Sequence, residues 1–195
     1  MASDDVVSDQ QRKAAEQFIE EEEGATSHFG GGLALLVTVL LVVMSLFHLY
    51  AAASIVPTQV LRPVHVGFVL LLIFLTFPAA RRLRDRLMWY DVLLGLLGVA
   101  TIAYLLLGGD EFWDRSTWPD DWDLFFGVVF VALVLEACRR TTGWIMPIVV
   151  MLFGAYAFLG PYLPGQWTHR GYDLGSMVGV MYMSLEGIFG TAIDV

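Results

Sequence analysis

Residues 33–53 read LALLVTVLLVVMSLFHLYAAA, an apolar run that is long enough to cross a lipid bilayer. The run lies within a longer segment, from Gly24 to Leu61, that contains no Asp, Glu, Lys or Arg. Since a helix that spans the hydrocarbon core needs about 20 apolar residues, this run predicts a transmembrane helix. A cleavable signal peptide is not expected, because the preceding residues 1–28 are polar and acidic and the run is too long and begins too late.

The composition of the whole chain favours a membrane protein. Of its 195 residues, 57% are hydrophobic and 16% are charged, and the mean hydropathy is +0.65. This is more apolar surface than a soluble domain of this size can bury. The 20 acidic residues outnumber the 11 basic ones, which argues against nucleic acid as a partner because phosphate contacts need clustered Lys and Arg. The single cysteine, Cys138, excludes an internal disulfide and a CxxC motif.

Four more apolar segments predict further spans, so the fold class is an all-α integral membrane protein with about five transmembrane helices. Leu124–Leu135 has only twelve uncharged residues and alone could be an interfacial helix, but flanking side chains that snorkel to water extend it to a span. Residues 173–195 begin a further helix, in which Gly175 and Gly179 predict a close-packing face. The five predicted spans are residues 33–53, 64–80, 88–107, 122–140 and 144–162.

The connectors predict the orientation of these spans. Residues 81–86 carry four arginines, and Arg139 and Arg140 follow the fourth span, so both groups are expected on the cytoplasmic side. The proline-bounded connector at residues 54–63 and the acidic, tryptophan-rich loop at residues 108–123 then lie outside. The loop is interpreted as a headgroup-level segment, with contact to a partner protein as the alternative. These features predict a multi-pass protein of the inner, or cytoplasmic, cell membrane with a cytoplasmic N-terminus.

Catalytic motifs are missing from the sequence: it contains no GxSxG, HExxH, P-loop or GxGxxG pattern. The chain is therefore not expected to be an enzyme, and no catalytic residue, cofactor or metal ligand is predicted. His48 and His65 lie near the outer ends of the first two spans. Interfacial hydrogen bonding is the favoured interpretation of these two histidines, and a proton or metal site is the alternative.

Carboxylates inside predicted spans are functional suspects because charge is costly in lipid. Asp91 lies in the first turn of the third span, where a carboxylate suits the helix N-terminus. Glu136 precedes Arg139 and Arg140 by three and four residues, so a local ion pair is expected. A role for Glu136 in coupling or in a subunit contact is the alternative.

Several motifs resemble the fused permeases of the tripartite ATP-independent periplasmic (TRAP) transporters, in the branch served by TAXI-type binding proteins. The similarity covers most of residues 31–195. It is carried by LRPVHVGF at 61–68, the acid at Asp91, LEACRRTTGW at 135–144, GAYAFLGPYLPG at 154–165, HRGY at 169–172 and EGIFG at 186–190.

The resemblance implies a domain organisation. Residues 1–28 would be a polar acidic cytoplasmic tail, 29–140 a four-helix small membrane domain, 141–165 a linking transmembrane helix, and 166–195 the start of a truncated large transport domain. The residues singled out as structural or interface candidates are Arg62, His65, Asp91, Glu136, Arg139, Arg140 and Glu186.

The resemblance also implies a function: uptake of organic acids by a secondary transporter that is driven by a sodium or proton gradient. The implied partners are an extracytoplasmic solute-binding protein, a large transport domain or subunit, and membrane lipid. In that family the large domain holds the substrate, so this segment is expected to be the membrane scaffold and no substrate ligand is assigned here. The alternatives are a stand-alone small subunit, or a membrane sensor or membrane enzyme without a transport role.

Overall fold

The computed structural model describes residues 30–80 and 87–191, together with the isolated positions Gln11 and Ala15. The predictions made for the acidic tail at residues 1–28 and for the arginine cluster at residues 81–86 lie outside the described residues. The same holds for residues 192–195 of the predicted last helix.

The described residues are helical and contain no β-strand, which confirms the predicted all-α class. The α-helices are α1 Gly31–Ala53, α2 Thr58–Thr76, α3 Trp89–Asp114, α4 Asp121–Thr142, α5 Ile145–Leu159 and α6 Leu174–Tyr182. Short 3-10 turns lie at Arg115–Thr117, Gly160–Tyr162 and Gly165–Trp167, and a π-helical turn lies at Gly187–Thr191. The helical stretches that are long and apolar enough to cross a membrane are Gly31–Ala53, Thr58–Thr76, Trp89–Thr117 and Ile145–Tyr162. The protein is therefore embedded in a membrane.

Helix α4 has the length of a span but carries charges at both ends. Its 22 residues extend about 33 Å at the α-helical rise. Acidic residues occupy its first turn, and Glu136, Arg139 and Arg140 lie in its last two turns. The helix begins beside the Arg115–Thr117 turn that follows α3 and ends beside the start of α3. It thus runs antiparallel to α3. It is not among the helices that are apolar enough to cross a membrane by length and composition, so the fourth span stays a prediction.

The start of α2 differs from the prediction. Pro57 and Pro63 were expected to bound a connector, but Pro57 caps a helix that starts at Thr58, and Pro63 lies inside it. The N–H groups of Val60 and Leu61 bond to the Pro57 carbonyl. A proline this close to a helix start removes one hydrogen bond, to the carbonyl four residues earlier, and its fixed φ already suits the helix.

Helix α3 also continues beyond the predicted span, into what was expected to be a loop. Gly109 has φ 54° and ψ −144° and kinks the chain, after which the helix resumes. A positive φ is readily adopted only by glycine. The kink brings Phe112, which is fully buried, onto the rings of Tyr104 and Tyr182. The acidic stretch therefore contributes a core residue as well as surface carboxylates.

Helices α2, α3 and α4 pack on one another and form the core, which we call the α2–α3–α4 bundle. Helix α6 lies against α4 and the Arg115–Thr117 turn. Helix α1 packs on α2 and has no buried residue, and α5 packs on α4 and buries only Pro147, which lies in its first turn as predicted. Two apolar helices thus flank the bundle and present most of their surface to lipid.

The C-terminal segment does not continue as one helix, contrary to the prediction for residues 173–195. Helix α6 ends at Tyr182, and the chain turns before Gly187–Thr191. Added Cβ atoms at Gly187 and Gly190 would overlap the carbonyl oxygens of Val180 and Leu185, so the turn needs glycine at both positions. The turn places Phe189, fully buried, in a stack with Phe130 at a ring separation of 5.1 Å.

Candidate functional site

One end of the bundle carries a charge network that we call the Arg140 cluster, formed by Asp91, Glu136, Arg139 and Arg140. Arg140 Nη1 donates to Asp91 Oδ1 at 2.7 Å, and its Nε donates to Glu136 Oε1 at 2.9 Å. Arg139 donates to both Glu136 oxygens at 2.7 Å. The Arg140 and Asp91 side chains are only 1% and 4% exposed. Two positive and two negative groups thus balance inside this end of the bundle.

The same arginines also bind the end of α2. Arg140 Nη1 donates to the Phe77 carbonyl at 3.0 Å, and Arg139 Nη2 donates to the Ala79 carbonyl at 3.1 Å. The Arg140 guanidinium lies 4.9 Å from the Phe74 ring centre. Carbonyls at a helix C-terminus lack partners within the helix and attract cations. The Arg140 cluster therefore joins the ends of α2 and α4 to the start of α3.

The local part of this network agrees with the sequence prediction, since Glu136 pairs with both following arginines. Asp91 lies in the first turn of α3 as predicted, and it accepts a hydrogen bond from the Met88 N–H at 3.2 Å. The contact between Asp91 and Arg140 was not predicted, because it joins helices that are distant in sequence.

The opposite end of the bundle carries a second network, which we call the Asp123 cluster: Tyr104, Arg115, Asp120 and Asp123. Asp123 is fully buried. Its carboxylate accepts hydrogen bonds from the Tyr104 hydroxyl at 2.7 Å, from Arg115 Nε and Nη2 at 3.2 and 3.1 Å, and from the Asp120 N–H at 2.9 Å. Arg115 also pairs with Asp120 at 3.6 Å. This cluster joins α3, the turn after it and the first turn of α4.

Sequence reasoning missed the Asp123 cluster, because Asp123 was taken as one more acid in a solvated loop. Two signals pointed to it. Arg115 is the one cation in the acidic 108–123 stretch, and the Asp120–Asp123 spacing matches an N-cap followed by an acid at the third helical position.

Between the two clusters the interior is apolar. Its polar side chains in the described part include Thr101, which donates to the Gly98 carbonyl of its own helix at 2.7 Å, and Tyr182. Within residues 30–80 and 87–190, no buried side-chain nitrogen or oxygen lacks a partner, and no group of three or more metal-binding side chains occurs. The interior side chains include Leu70, Phe74, Ile102, Leu105, Phe130 and Leu133.

The two histidines near the start of α2 bond to each other, as the interfacial interpretation allows. His48 Nε2 on α1 and His65 Nδ1 on α2 are 2.9 Å apart, and His48 Nδ1 lies 2.7 Å from the Met44 carbonyl. The rings meet edge to face, with centres 4.9 Å apart. Phe47 packs on the His48 ring and also on Phe68, so aromatic contacts surround the pair.

The remaining interface candidates lie near the C-terminal segment. Arg62 Nη1 donates to the Phe189 carbonyl at 3.2 Å, which ties the start of α2 to the π-helical turn. Glu186 is exposed in the turn between α6 and Gly187–Thr191. Tyr182 donates to the Thr101 carbonyl at 2.5 Å and fixes the end of α6 against α3.

Comparisons with protein-family models, with curated proteins and with solved structures find no match to this chain.

Proposed function

We propose that this chain is the membrane scaffold of a binding-protein-dependent, ion-gradient-driven transporter of organic acids, similar to the TRAP permeases, and that it does not itself bind the substrate. The observation that carries the proposal is the pair of charge clusters. The Arg140 cluster joins α2, α3 and α4 at one end of the bundle, the Asp123 cluster joins α3 and α4 at the other, and the side chains between them are mostly apolar. Such a bundle suits a static support better than a moving part.

The alternative role, binding the substrate, finds little support in the bundle. A secondary transporter places its substrate near the midplane, where interrupted helices expose backbone groups to the ligand. Here the interior polar groups bond to one another or to backbone carbonyls. A carboxylate substrate and its coupling ion would find no replacement for their hydration in the described interior.

In this proposal the end with the Arg140 cluster faces the cytoplasm, and the membrane is the inner, or cytoplasmic, cell membrane. The Asp123 end then faces outward, where the extracytoplasmic binding protein delivers its substrate. The exposed apolar faces of α1 and α5 contact lipid or the separate transport domain. Sodium or proton coupling belongs to the complete transporter.

The proposal is tested by preventing relative movement of α2 and α3 in the complete transporter. A Cβ at Gly98 would lie 3.3 Å from the Leu70 Cβ, close to the separation found in disulfides. Leu70→Cys with Gly98→Cys, in a Cys138→Ala background, should therefore form a disulfide between these helices. The protein is reconstituted with its transport domain and binding protein under a sodium gradient, and uptake of ¹⁴C-labelled carboxylic acids is measured.

A scaffold predicts equal uptake by the oxidised and the reduced double-cysteine proteins. Loss of uptake on oxidation that is restored by reduction would show that the bundle moves during transport. Vesicles that contain this chain and the binding protein, without the transport domain, should show no gradient-dependent uptake. Uptake in those vesicles would place the substrate site in this chain and contradict the proposal.

A further inference from the structure

The hydrogen bonds of the His48–His65 pair fix the position of its protons. The Met44 carbonyl can only accept, so the proton on His48 Nδ1 points to Met44. In a neutral His48 ring the Nε2 atom then carries a lone pair. The hydrogen bond between the rings must therefore come from His65 Nδ1–H.

This arrangement tolerates one additional proton but not two. A proton added to His65 Nε2 leaves the bridging Nδ1–H in place, so the singly charged pair keeps its bond. A second proton on His48 Nε2 would place two N–H groups against each other at the 2.9 Å separation. It would also place two positive charges side by side, which an apolar environment disfavours.

The pair lies where helix α1 depends on it. Helix α1 has no buried residue and packs on α2, while α2 is held by α3 and α4. Within α1, the described polar side-chain contact to another helix is the one made by His48. Breaking this bond removes the described side-chain hydrogen bond between α1 and α2, and lipid can replace apolar contacts such as that of Phe47 with Phe68.

Water can reach the pair from the connector between the two helices. His48 lies five residues before the end of α1, and His65 lies seven residues after the start of α2, so both are within two turns of the connector. Both rings are half-buried. The helices that carry the pair hold two other titratable or charged groups, Tyr50 on α1 and Arg62 on α2. The helices packed on α2 hold the remaining ones: Tyr90, Asp91, Tyr104, Asp110, Glu111 and Asp114 on α3, and Asp121, Asp123, Glu136, Cys138, Arg139 and Arg140 on α4.

We propose that His48 and His65 form a proton-sensitive latch that holds α1 against α2. The latch is closed while the pair carries at most one extra proton. It opens when acid on the side of the α1–α2 connector protonates both rings, and α1 then separates from the bundle. The inference rests on the α1–α2 geometry alone and is independent of the transport role proposed above.

The proton arrangement can be measured directly by NMR. The full chain, labelled with ¹⁵N-histidine and placed in lipid bilayers, should show a ¹⁵N–¹⁵N coupling across the bridge at pH 8. The coupling should vanish at acid pH, when all four nitrogens report N–H shifts. A bridge that is absent at pH 8, or rings that never both protonate down to pH 4, would overturn the proposal.

The movement of α1 is measured with spin labels at Leu46→Cys on α1 and Leu107→Cys on α3, both at exposed positions, in a Cys138→Ala background. Acidification should lengthen the label-to-label distance by at least about 5 Å, half a helix diameter. His65→Gln is the critical variant, because an amide can donate to neutral His48 or accept from charged His48 and does not titrate. It should keep the short distance at both pH values.

His169→Gln is the matched control, since His169 bonds to the Tyr156 carbonyl at 3.1 Å, away from α1. This variant should respond to pH as the unmodified protein does. If the distance in the unmodified protein stays constant although both rings protonate, or if His65→Gln responds to acid as strongly, the latch is wrong.

Discussion

Arg140 donates from Nη1 to Oδ1 of Asp91 over 2.7 Å, although 49 positions separate the two residues along the chain. The contact joins the end of α4 to the start of α3 in an almost fully buried site. Removing one member of such a pair leaves a buried charge, whereas replacing both members by apolar residues often costs little. This asymmetry makes the pair testable.

Asp91→Ala should reduce the free energy of unfolding by up to about 3 kcal/mol, because Arg140 then loses the more deeply buried of its two carboxylate partners and keeps only Glu136. Unfolding is measured by SDS titration in mixed micelles and followed by tryptophan fluorescence. Asp110→Ala, at an exposed site on the same helix, is the matched control and should change stability little. The single variants Asp91→Leu and Arg140→Met each lower the free energy of unfolding. The double variant should lower it by less than the sum of these two losses. Additive costs would show that the two residues do not interact.

The Asp123 cluster leads to a graded prediction. Tyr104→Phe removes one of the hydrogen bonds to Asp123 and should cost about 1 kcal/mol. Asp123→Leu should cost more, since it strips the partners from Arg115 and the Tyr104 hydroxyl together. Asp121 lies on the same turn of α4 but is exposed. Asp121→Leu should therefore leave the free energy of unfolding nearly unchanged in the same assay. Equal effects of the two aspartate changes would mean that the Asp123 cluster does not stabilise the bundle.

The difference between predicted and unpredicted features follows from the range of the interactions. Hydropathy found the spans because lipid acts on each helix separately. The Glu136 pairs with Arg139 and Arg140 were found because three- and four-residue spacing is a local property of the helix. The contact of Arg140 with Asp91 depends on how helices pack, and no single-helix rule contains it.

Two predictions from the sequence were wrong because each applied a rule for one short segment without regard to the contacts that the segment makes. Pro63 was taken as a boundary, although it lies in the second turn of α2, where it removes one backbone hydrogen bond without ending the helix. Residues 173–195 were taken as one helix because their hydropathy is continuous, whereas the glycines at 187 and 190 allow the chain to turn back on itself. The aromatic stack of Phe189 on Phe130 then holds the turn in place.

Close packing of α6 predicts a contrast among glycines. A Cβ at Gly179 would overlap the Ser116 carbonyl oxygen, and one at Gly127 would overlap Val178 Cγ1. Gly179→Ala should therefore cost about 1–3 kcal/mol, and more than Gly127→Ala, because a backbone carbonyl cannot rotate away as a side chain can. At Gly154 on α5 an added Cβ meets nothing within 4 Å, so Gly154→Ala should stabilise by a few tenths of a kcal/mol or more through helix propensity. If Gly154→Ala lowered the free energy of unfolding and Gly179→Ala left it unchanged, the close packing of α6 on the Ser116 backbone would be wrong.

The membrane orientation gives the last prediction, which also tests whether α3 crosses the bilayer. Arg139 and Arg140 bind the carbonyls of Ala79 and Phe77, the sequence continues from there into the arginine-rich stretch 81–86, and short basic segments face the cytoplasm. In a Cys138→Ala background, a membrane-impermeant maleimide should label Arg84→Cys only after cells are permeabilised, and Thr117→Cys in intact cells.

Leu152→Cys, exposed in the middle of α5, should resist the hydrophilic reagent in both conditions, because lipid covers it. Labelling of both Arg84→Cys and Thr117→Cys in intact cells would mean that α3 does not span the membrane. The reverse pattern would keep the fold but invert the proposed orientation.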